Sequence, residues 1–569
     1  MNFLTLRKNY LNRKGVIMNF KDKIVYQIYP KSFKDTNGNG VGDLRGVIEK
    51  LDYIKELGAD YIWLTPFYCS PQKDNGYDIS DYYNIDPMYG TMDDFEELSR
   101  ECKKRGIDLM LDMVFNHTST EHEWFKRALK GEKKYKDYYI FKKGKANGEP
   151  PTNWESKFGG NAWEYVEELG EYYLHLFDVT QADLNWDNPE LREEIYKVVN
   201  FWIDKGVRGF RLDVINLISK ESTFEDDNIG DGRRFYTDGP NIHKYLKELN
   251  ENTFGRDENI ITVGEMSSTT IENCLKYSNP DEKELSMVFN FHHLKVDYIN
   301  GNKWDIKDFD FMELKELFNK WQTEMINGNG CTAVFWCNHD QQRINSRFCD
   351  VKNYHRESST MLANAIHLMS GVPYIYQGEE IGMTNPEFTS ISQYVDVESI
   401  NFFNMKKEEG VDEEGILDIL RKRSRDNSRT PMQWDESENL GFTEGKPWIS
   451  LSPNYKDINV KKALSDNKSI YYYYKKLIEI RKSEAVIRDG DYKLLLKDND
   501  KVYAYERSLN NERIISVNNF YGEECIINLA DELKHNGNFD ILISNYYFNH
   551  NDLSNIKLRP YEAFAIKLK

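Results

Sequence analysis

Residues 43–64 read DLRGVIEKLDYIKELGADYIWL, and the fold follows from this stretch. Val47, Ile48, Leu51 and Ile54 recur at helical spacing, so one amphipathic helix is expected over 43–57. Gly58 is a stop signal, and Tyr61-Ile62-Trp63-Leu64 follows as a short, unbroken apolar strand. The same unit returns as helix 93–105, Gly106 and strand 108–115, then as helix 190–205, Gly206 and strand 208–214. Helices 241–254, 311–326 and 358–370 lead into strands 260–264, 332–337 and 372–376, and a strand at 24–29 precedes them all. Unbroken apolar strands separated by helices read as a parallel sheet covered on both faces. So many units between residues 24 and 376 favour an α/β chain closed into a (β/α)8 TIM barrel over an open doubly wound sheet. No GxGxxG follows the first strand, so a dinucleotide site is not expected.

The pattern breaks at 117–187, which is rich in Tyr, Trp, Gly and Lys and lacks helical periodicity. That segment is expected as an inserted, loop-rich domain after the third strand. From 487 to 569 the apolar residues alternate, with an Asn510-Asn511 turn, so a C-terminal all-β sandwich domain is expected. The barrel then occupies 18–116 and 188–486. Residues 1–17 lack the apolar run of a signal peptide and read as a disordered tail or a start-site artefact.

The 75 Lys+Arg stand against 94 Asp+Glu, a formal net charge of −19. Nucleic acid is therefore not the expected partner, because phosphate backbones need a basic footprint. No apolar run is long enough to span a membrane. Seven scattered cysteines without a CxxC pair fit free thiols in a reducing cytoplasm better than a disulfide framework. Aromatic residues reach 14%, which suits either a large core or a site that stacks on sugar rings.

Barrels of this kind carry reactive groups at the C-terminal ends of their strands. Those positions hold Asn116-His117, Arg211-Leu212-Asp213, Glu265 and Asn338-His339-Asp340. There is no Ser-His pair, no Cys nucleophile and no HExxH among them. Several carboxylates in an aromatic cleft are what glycoside hydrolysis needs: one protonated to donate to the leaving oxygen, one ionised to face the oxocarbenium-like carbon. Arg211 and Asp213 are two apart on a strand and share a face, so the arginine favours an ionised Asp213. Glu265, among like charges, is the expected acid.

The segments DMVFNH (112–117), GFRLDVI (209–215), VGEM around Glu265 and FWCNHD (335–340) resemble, in order and spacing, the four signature regions of the α-amylase superfamily, glycoside hydrolase family 13. The resemblance implies Asp213 as nucleophile, Glu265 as acid/base and Asp340 as the third carboxylate, with His117, Arg211 and His339 holding the terminal glucosyl unit. NGYDISDY (75–82), QGEEIGMTN (377–385) and SRDNSRTPMQW (424–434) are similar to the exo-acting oligo-1,6-glucosidase and α-glucosidase branch. By that likeness Asp78 and Arg429 close the far end of the glucosyl pocket, and Phe158, Phe177 and Gln181 wall it. No organic or redox cofactor is implied.

FNFHHLKVDY (289–298), PTNWESKFGG (151–160), LHLFDVTQADLNW (174–186) and GEMSSTT (264–270) resemble the members that hydrolyse trehalose 6-phosphate. A phosphosugar dianion meeting a −19 chain needs a local patch of positive charge. His292, His293 and Lys295 are the candidates, and the sequence does not choose among them. The expected partner is thus a small sugar phosphate, bound by a cytoplasmic monomer; neutral isomalto-oligosaccharides are the alternative. Finally, Asp35, Asn37, Asn39, Val41 and Asp43 space oxygen ligands around a Gly turn, like the start of a calcium loop. Similar loops in the family bind a structural Ca²⁺ or Mg²⁺ far from the reaction, and the same is expected here.

Overall fold

The computed structural model describes residues 20–535, 538–550 and 552–569; the tail expected at 1–17 lies outside them. Eight parallel strands form the centre: β1 (Val25–Ile28), β2 (Tyr61–Leu64), β3 (Asp108–Val114), β4 (Gly209–Asp213), β5 (Ile261–Glu265), β6 (Met287–Phe289), β7 (Ala333–Val334) and β8 (Val372–Tyr376). From β1 to β6 each pairs with its neighbour in chain order, β7 pairs with β8, and β8 returns to pair with β1. The last gap, β6 to β7, is closed by a bridge between Val288 and Thr332 and by Val288 N–H donating to the Cys331 carbonyl at 3.1 Å. Apart from Asp108 and Glu265 at strand ends, every residue of these strands is buried, so the interior is a packed core.

The unit at 43–64 shows how the sequence builds this. Asp43 caps the helix start, accepting from Gly46 N–H at 2.7 Å. The expected single helix is two pieces, Leu44–Glu49 and Leu51–Leu57, broken at Lys50. Leu44, Val47, Leu51, Ile54 and Leu57 still form one buried stripe against the barrel. Gly58 ends it at φ +105°, a conformation open chiefly to glycine.

After β3 the chain leaves the barrel. His117–Ser119 pairs antiparallel with Gln181–Asp183 as a stem, beyond which lies a sheet of Phe141–Lys142, Trp163–Val166 and Glu171–Leu174. The C-terminal domain is an antiparallel sheet of β9 (Asp491–Leu495), β10 (Val502–Leu509), β11 (Glu512–Asn519), β12 (Phe539–Ser544) and β13 (Ala563–Leu568), in the order β9-β10-β11-β13-β12. A two-stranded layer, Cys525–Ile527 with Ile556–Leu558, packs over it around Val517, Phe564 and Ile566. Among the described residues no helix is long and apolar enough to cross a membrane.

Candidate active site

Arg211 is the floor of the site. In the β3–β4 register it lies opposite Asp112, and its Nη1 donates to Asp112 Oδ1 at 2.7 Å and to Asp213 Oδ1 at 2.5 Å. Its Nη2 donates to Glu265 Oε2 at the end of β5. Asp112 is held in turn by Trp63 Nε1 (3.1 Å) and the Tyr77 hydroxyl (2.9 Å). One guanidinium thus gathers three carboxylates from neighbouring strands. Val214, directly after Asp213, sits at φ +34°, a region a β-branched residue rarely enters. This strained turn ends β4 and leads into the 3-10 turn Ile215–Leu217, leaving Asp213 at the cavity.

The third carboxylate arrives differently. The strand expected over 332–337 pairs only through Ala333–Val334; residues 335–340 leave the ladder and carry His339 and Asp340 to the mouth. Asp340 Oδ1 accepts from Arg429 Nη2 at 2.8 Å and from Arg425 Nη1 at 3.4 Å, and Oδ2 lies 3.1 Å from His339 Nε2. His339 stacks on Tyr77 at 5.1 Å, and its Nδ1 accepts from Gln27 Nε2 at 2.9 Å.

These environments set Asp340 apart from the other two carboxyl groups. Burial pushes Glu265 up to about 7, against the pull of Arg211. Burial raises Asp213 to about 7 as well, again opposed by Arg211. Burial would also raise Asp340, but His339, Arg425 and Arg429 hold it well below the usual carboxylate range.

A cavity of about 290 Å³ opens above this floor. His117, Phe158, Phe177 and Gln181 line it as expected, and Asp213, Glu265 and Asp340 face into it. Arg211 and His339 lie beneath, positioning the carboxylates. Two assignments are corrected. Asp78 is fully buried behind the wall, its carboxylate taken by Ser70 Oγ and by the Lys73 and Asp74 N–H groups. Arg429 is buried as well, spent on Asp340 and on the His339 carbonyl. The cavity wall is formed instead by Asp74 and Arg425, four residues earlier in each motif and bonded to one another at 2.9 Å. Gln181 Nε2 also donates to Asp74, at 3.2 Å.

Lys295 lines the cavity, and its ammonium has no hydrogen bond or ion pair among the described residues. Lys157, from the inserted segment, lines the same side and donates to Ser267 Oγ at 3.1 Å. Burial and then Arg233 lower Lys157 to about 8, and Lys295 adds to that repulsion. Lys303, paired with Glu398, stands nearby. The two histidines are corrected: His293 is a core residue, its Nε2 2.9 Å from the Phe335 carbonyl among Phe318, Phe335 and Trp336. His292 packs on Trp321 and is likewise absent from the lining. Both belong to the 3-10 turn His292–Leu294, which presents Lys295 to the cavity.

The loop at 35–43 lies apart from this site. Asp35 Oδ1 accepts from Asn37 and Gly38 N–H, Asn37 Oδ1 from Asn39 N–H, and Asn39 Oδ1 from Val41 N–H, a chain of Asx turns. Asp43 accepts from Thr36 and Gly46 N–H. Two carboxylates, two amides and the Val41 carbonyl are an oxygen-only donor set, the kind Ca²⁺ and Mg²⁺ take. Among the described residues no three His, Cys, Asp or Glu side chains gather as metal ligands, so the amides and the carbonyl would have to contribute.

Asp213, Glu265 and Asp340, converging in an aromatic-walled cavity at the C-terminal mouth of a (β/α)8 barrel, define a glycosidase. The chain belongs to the α-amylase family of glycoside hydrolases: residues 27–490 match the alpha amylase catalytic domain, and 502–564 match the alpha-amylase SusG C-terminal domain. It is 55% identical to the trehalose-6-phosphate hydrolase of Bacillus subtilis (strain 168) over 96% of this chain and 98% of that protein. To the oligo-1,6-glucosidase of Bacillus cereus it is 48% identical, over 97% and 99%. The crystal structure of Bacillus licheniformis trehalose-6-phosphate hydrolase superposes with a TM-score of 0.93 at 57% identity, covering 96% of this chain and 99% of that one.

Proposed function

We propose that this chain hydrolyses α,α-trehalose 6-phosphate to glucose and glucose 6-phosphate with retention at the anomeric carbon. The unphosphorylated ring lies against Asp74, Arg425 and Asp340, and the phosphorylated ring leaves toward Lys157 and Lys295. Glu265 gives its proton to the bridging oxygen as Asp213 attacks the anomeric carbon; water, deprotonated by Glu265, then opens the glucosyl ester. Retention calls for two carboxyls about 5–5.5 Å apart, and here both bond the one Arg211 guanidinium.

The observation that carries the substrate is the unpaired Lys295 beside Lys157 in a protein of net charge −19. Two cations repelling each other in a cavity wall cost stability unless a dianion arrives to neutralise them. The test is glucose release from trehalose 6-phosphate, trehalose and isomaltose by the wild type and by Lys295→Ala. A charge-assisted hydrogen bond is worth about 1.5–3 kcal/mol, so the variant is expected to lose about 10–100-fold in kcat/KM on the phosphorylated sugar and little on the neutral ones. If the wild type prefers isomaltose and the variant is unchanged, the chain is an oligo-1,6-glucosidase and the lysines only solvate a loop.

We place the enzyme in the cytoplasm as a monomer, where its seven free cysteines stay reduced. We also assign a structural Ca²⁺ or Mg²⁺ to Asp35, Asn37, Asn39, Val41 and Asp43. At ten times its Kd such an ion adds about 1.4 kcal/mol to stability. Protein stripped with EDTA is therefore expected to unfold at higher temperature on adding either ion; no shift with both would remove the assignment.

A further inference from the structure

We propose that Asp297 is a positioning residue for substrate selection: clamped between Arg347 and Arg423, it fixes the turn that presents Lys295 to the cavity. The inference rests on the reading that Lys295 binds the substrate phosphate, and deepens it. Asp297 follows Lys295 by two residues, is only 5% exposed and does not line the cavity. Arg347 grips its carboxylate with both prongs, Nε to Oδ2 at 2.8 Å and Nη2 to Oδ1 at 2.5 Å, and Nη2 also donates to the Leu294 carbonyl. Arg423 Nη1 lies 2.9 Å from Oδ2, and its Nη2 donates to the Asp297 carbonyl at 3.0 Å. Both guanidiniums stand over the ring of Tyr298, at 5.3 and 4.9 Å from its centre. Tyr298 lines the cavity, and its N–H donates back to the Lys295 carbonyl at 3.0 Å. The lysine thus stands between two anchored carbonyls, those of Leu294 and Asp297.

The two arginines come from the other side of the site. The glucosyl half, Asp74, Arg425 and Asp340, is tied together by the Arg425–Asp74 and Arg425–Asp340 contacts. Arg347, in the helix Ile344–Phe348, follows Asp340 by seven residues, and Arg423 ends the helix Glu413–Arg423 two residues before Arg425. Asp297 therefore joins the two segments that carry the glucosyl half to the turn that carries the phosphate-binding lysine. A lysine has many rotamers, so its ammonium can be held at one distance from the glucosyl ring only if its backbone is fixed. Burial would raise Asp297, but the two arginines hold it below the usual carboxylate range, so the clamp is charged at neutral pH. Stability alone gives little reason for such a cluster, because buried ion pairs are often no better than apolar packing of the same volume. Two guanidiniums on one carboxylate also leave a surplus positive charge behind Tyr298, on the side where the phosphorylated ring leaves.

The test measures kcat and KM on trehalose 6-phosphate and on p-nitrophenyl α-glucoside, with glucose 6-phosphate as inhibitor of the second reaction. Wild type is compared with Asp297→Asn, Arg423→Lys, Lys295→Ala and the double variant Asp297→Asn/Lys295→Ala. Asn keeps the size of Asp297 and loses its charge. Its KM for trehalose 6-phosphate and its inhibition constant for glucose 6-phosphate are expected to rise about tenfold, with kcat changing less. The ratio of kcat/KM on the phosphorylated sugar to that on the nitrophenyl glucoside should fall by about the same factor. In the Lys295→Ala background the same change should add less than about threefold, because the group it positions is gone. Should Asp297→Asn fail to fold, Arg423→Lys, which keeps the charge with a single donor group, is expected to show the same split at about three- to tenfold. Equal falls on both substrates, or an undiminished effect in the Lys295→Ala background, would make the cluster merely structural and overturn the proposal. If Lys295→Ala erases the preference for the phosphorylated sugar while Asp297→Asn and Arg423→Lys keep it, the positioning role falls and the phosphate reading survives. If the wild type shows no such preference and glucose 6-phosphate does not inhibit, the phosphate reading itself falls and takes the proposal with it.

Discussion

Glu265→Gln is expected to lower kcat on trehalose 6-phosphate by about 10²–10⁴-fold, the usual worth of a general acid–base group. On p-nitrophenyl α-glucoside the first step should be nearly spared, because nitrophenolate departs without a proton. The second step still lacks its base, so a protein carrying one glucosyl unit on Asp213 should accumulate and be visible by intact mass. Equal losses in the first step on both leaving groups would remove Glu265 from the acid role. The pH dependence gives a second check. Burial raises Glu265 to about 7, and an acid catalyst works only while protonated, so wild-type kcat/KM should fall above about pH 7, tenfold per unit. Glu265→Gln, which cannot titrate, should lack that alkaline limb. Asp213→Asn, by contrast, should abolish both steps on both substrates, since no ester can form.

Much of this site was legible because it follows strand periodicity. Arg211 and Asp213 share a face by simple alternation, and Glu265 closes an apolar strand. The barrel was readable from the helix–Gly–strand unit, with one exception. β6 is only Met287–Phe289, too short for its apolar run to stand out, yet it completes the ring. Placement within a motif was less legible. Asp74 and Asp78 flank the same Asn75-Gly76-Tyr77 turn, and nothing in residue type says which carboxylate meets the cavity. The backbone decides it: Asp78 is consumed by the N–H groups of Lys73 and Asp74, which leaves Asp74 free to bond Arg425. Lys157 was hidden in a quoted motif because its partners, Ser267 and Lys295, lie more than a hundred residues away. His292 and His293 misled for the opposite reason. In the tight turn after β6 Phe291, Leu294 and Lys295 line the cavity and Lys295 alone of them brings charge, while His293 is satisfied in the core by the Phe335 carbonyl.

Arg425→Ala should be the most damaging change outside the catalytic pair, and for stability as much as for activity. Arg425 is buried and bonds Asp74 Oδ1, Asp396 Oδ1 and Asp340 Oδ1 at once. Asp396 has no exposure, and although burial raises it, Arg425 and Arg429 hold it well below the usual range. Removing one partner from such a set leaves buried charge unmatched, at about 3–5 kcal/mol. The pH dependence carries the sign. In the wild type the depressed Asp396 contributes stability above its unfolded value, lost only as pH falls through the folded one. Without Arg425, burial dominates and the same carboxyl binds its proton more tightly folded than unfolded, so the penalty is greatest at neutral pH and shrinks toward pH 4. Thermal midpoints of wild type and Arg425→Ala should therefore converge on acidification. Activity should fall at least a hundredfold in kcat/KM, because Asp340 keeps Arg429 but the Asp74 wall of the glucosyl half loses its anchor. Arg425→Lys restores charge without the planar fork and should recover stability more than activity. A constant gap in midpoint from pH 7 to pH 4 would show that Arg425 acts by packing, not as the counter-charge of these three carboxylates.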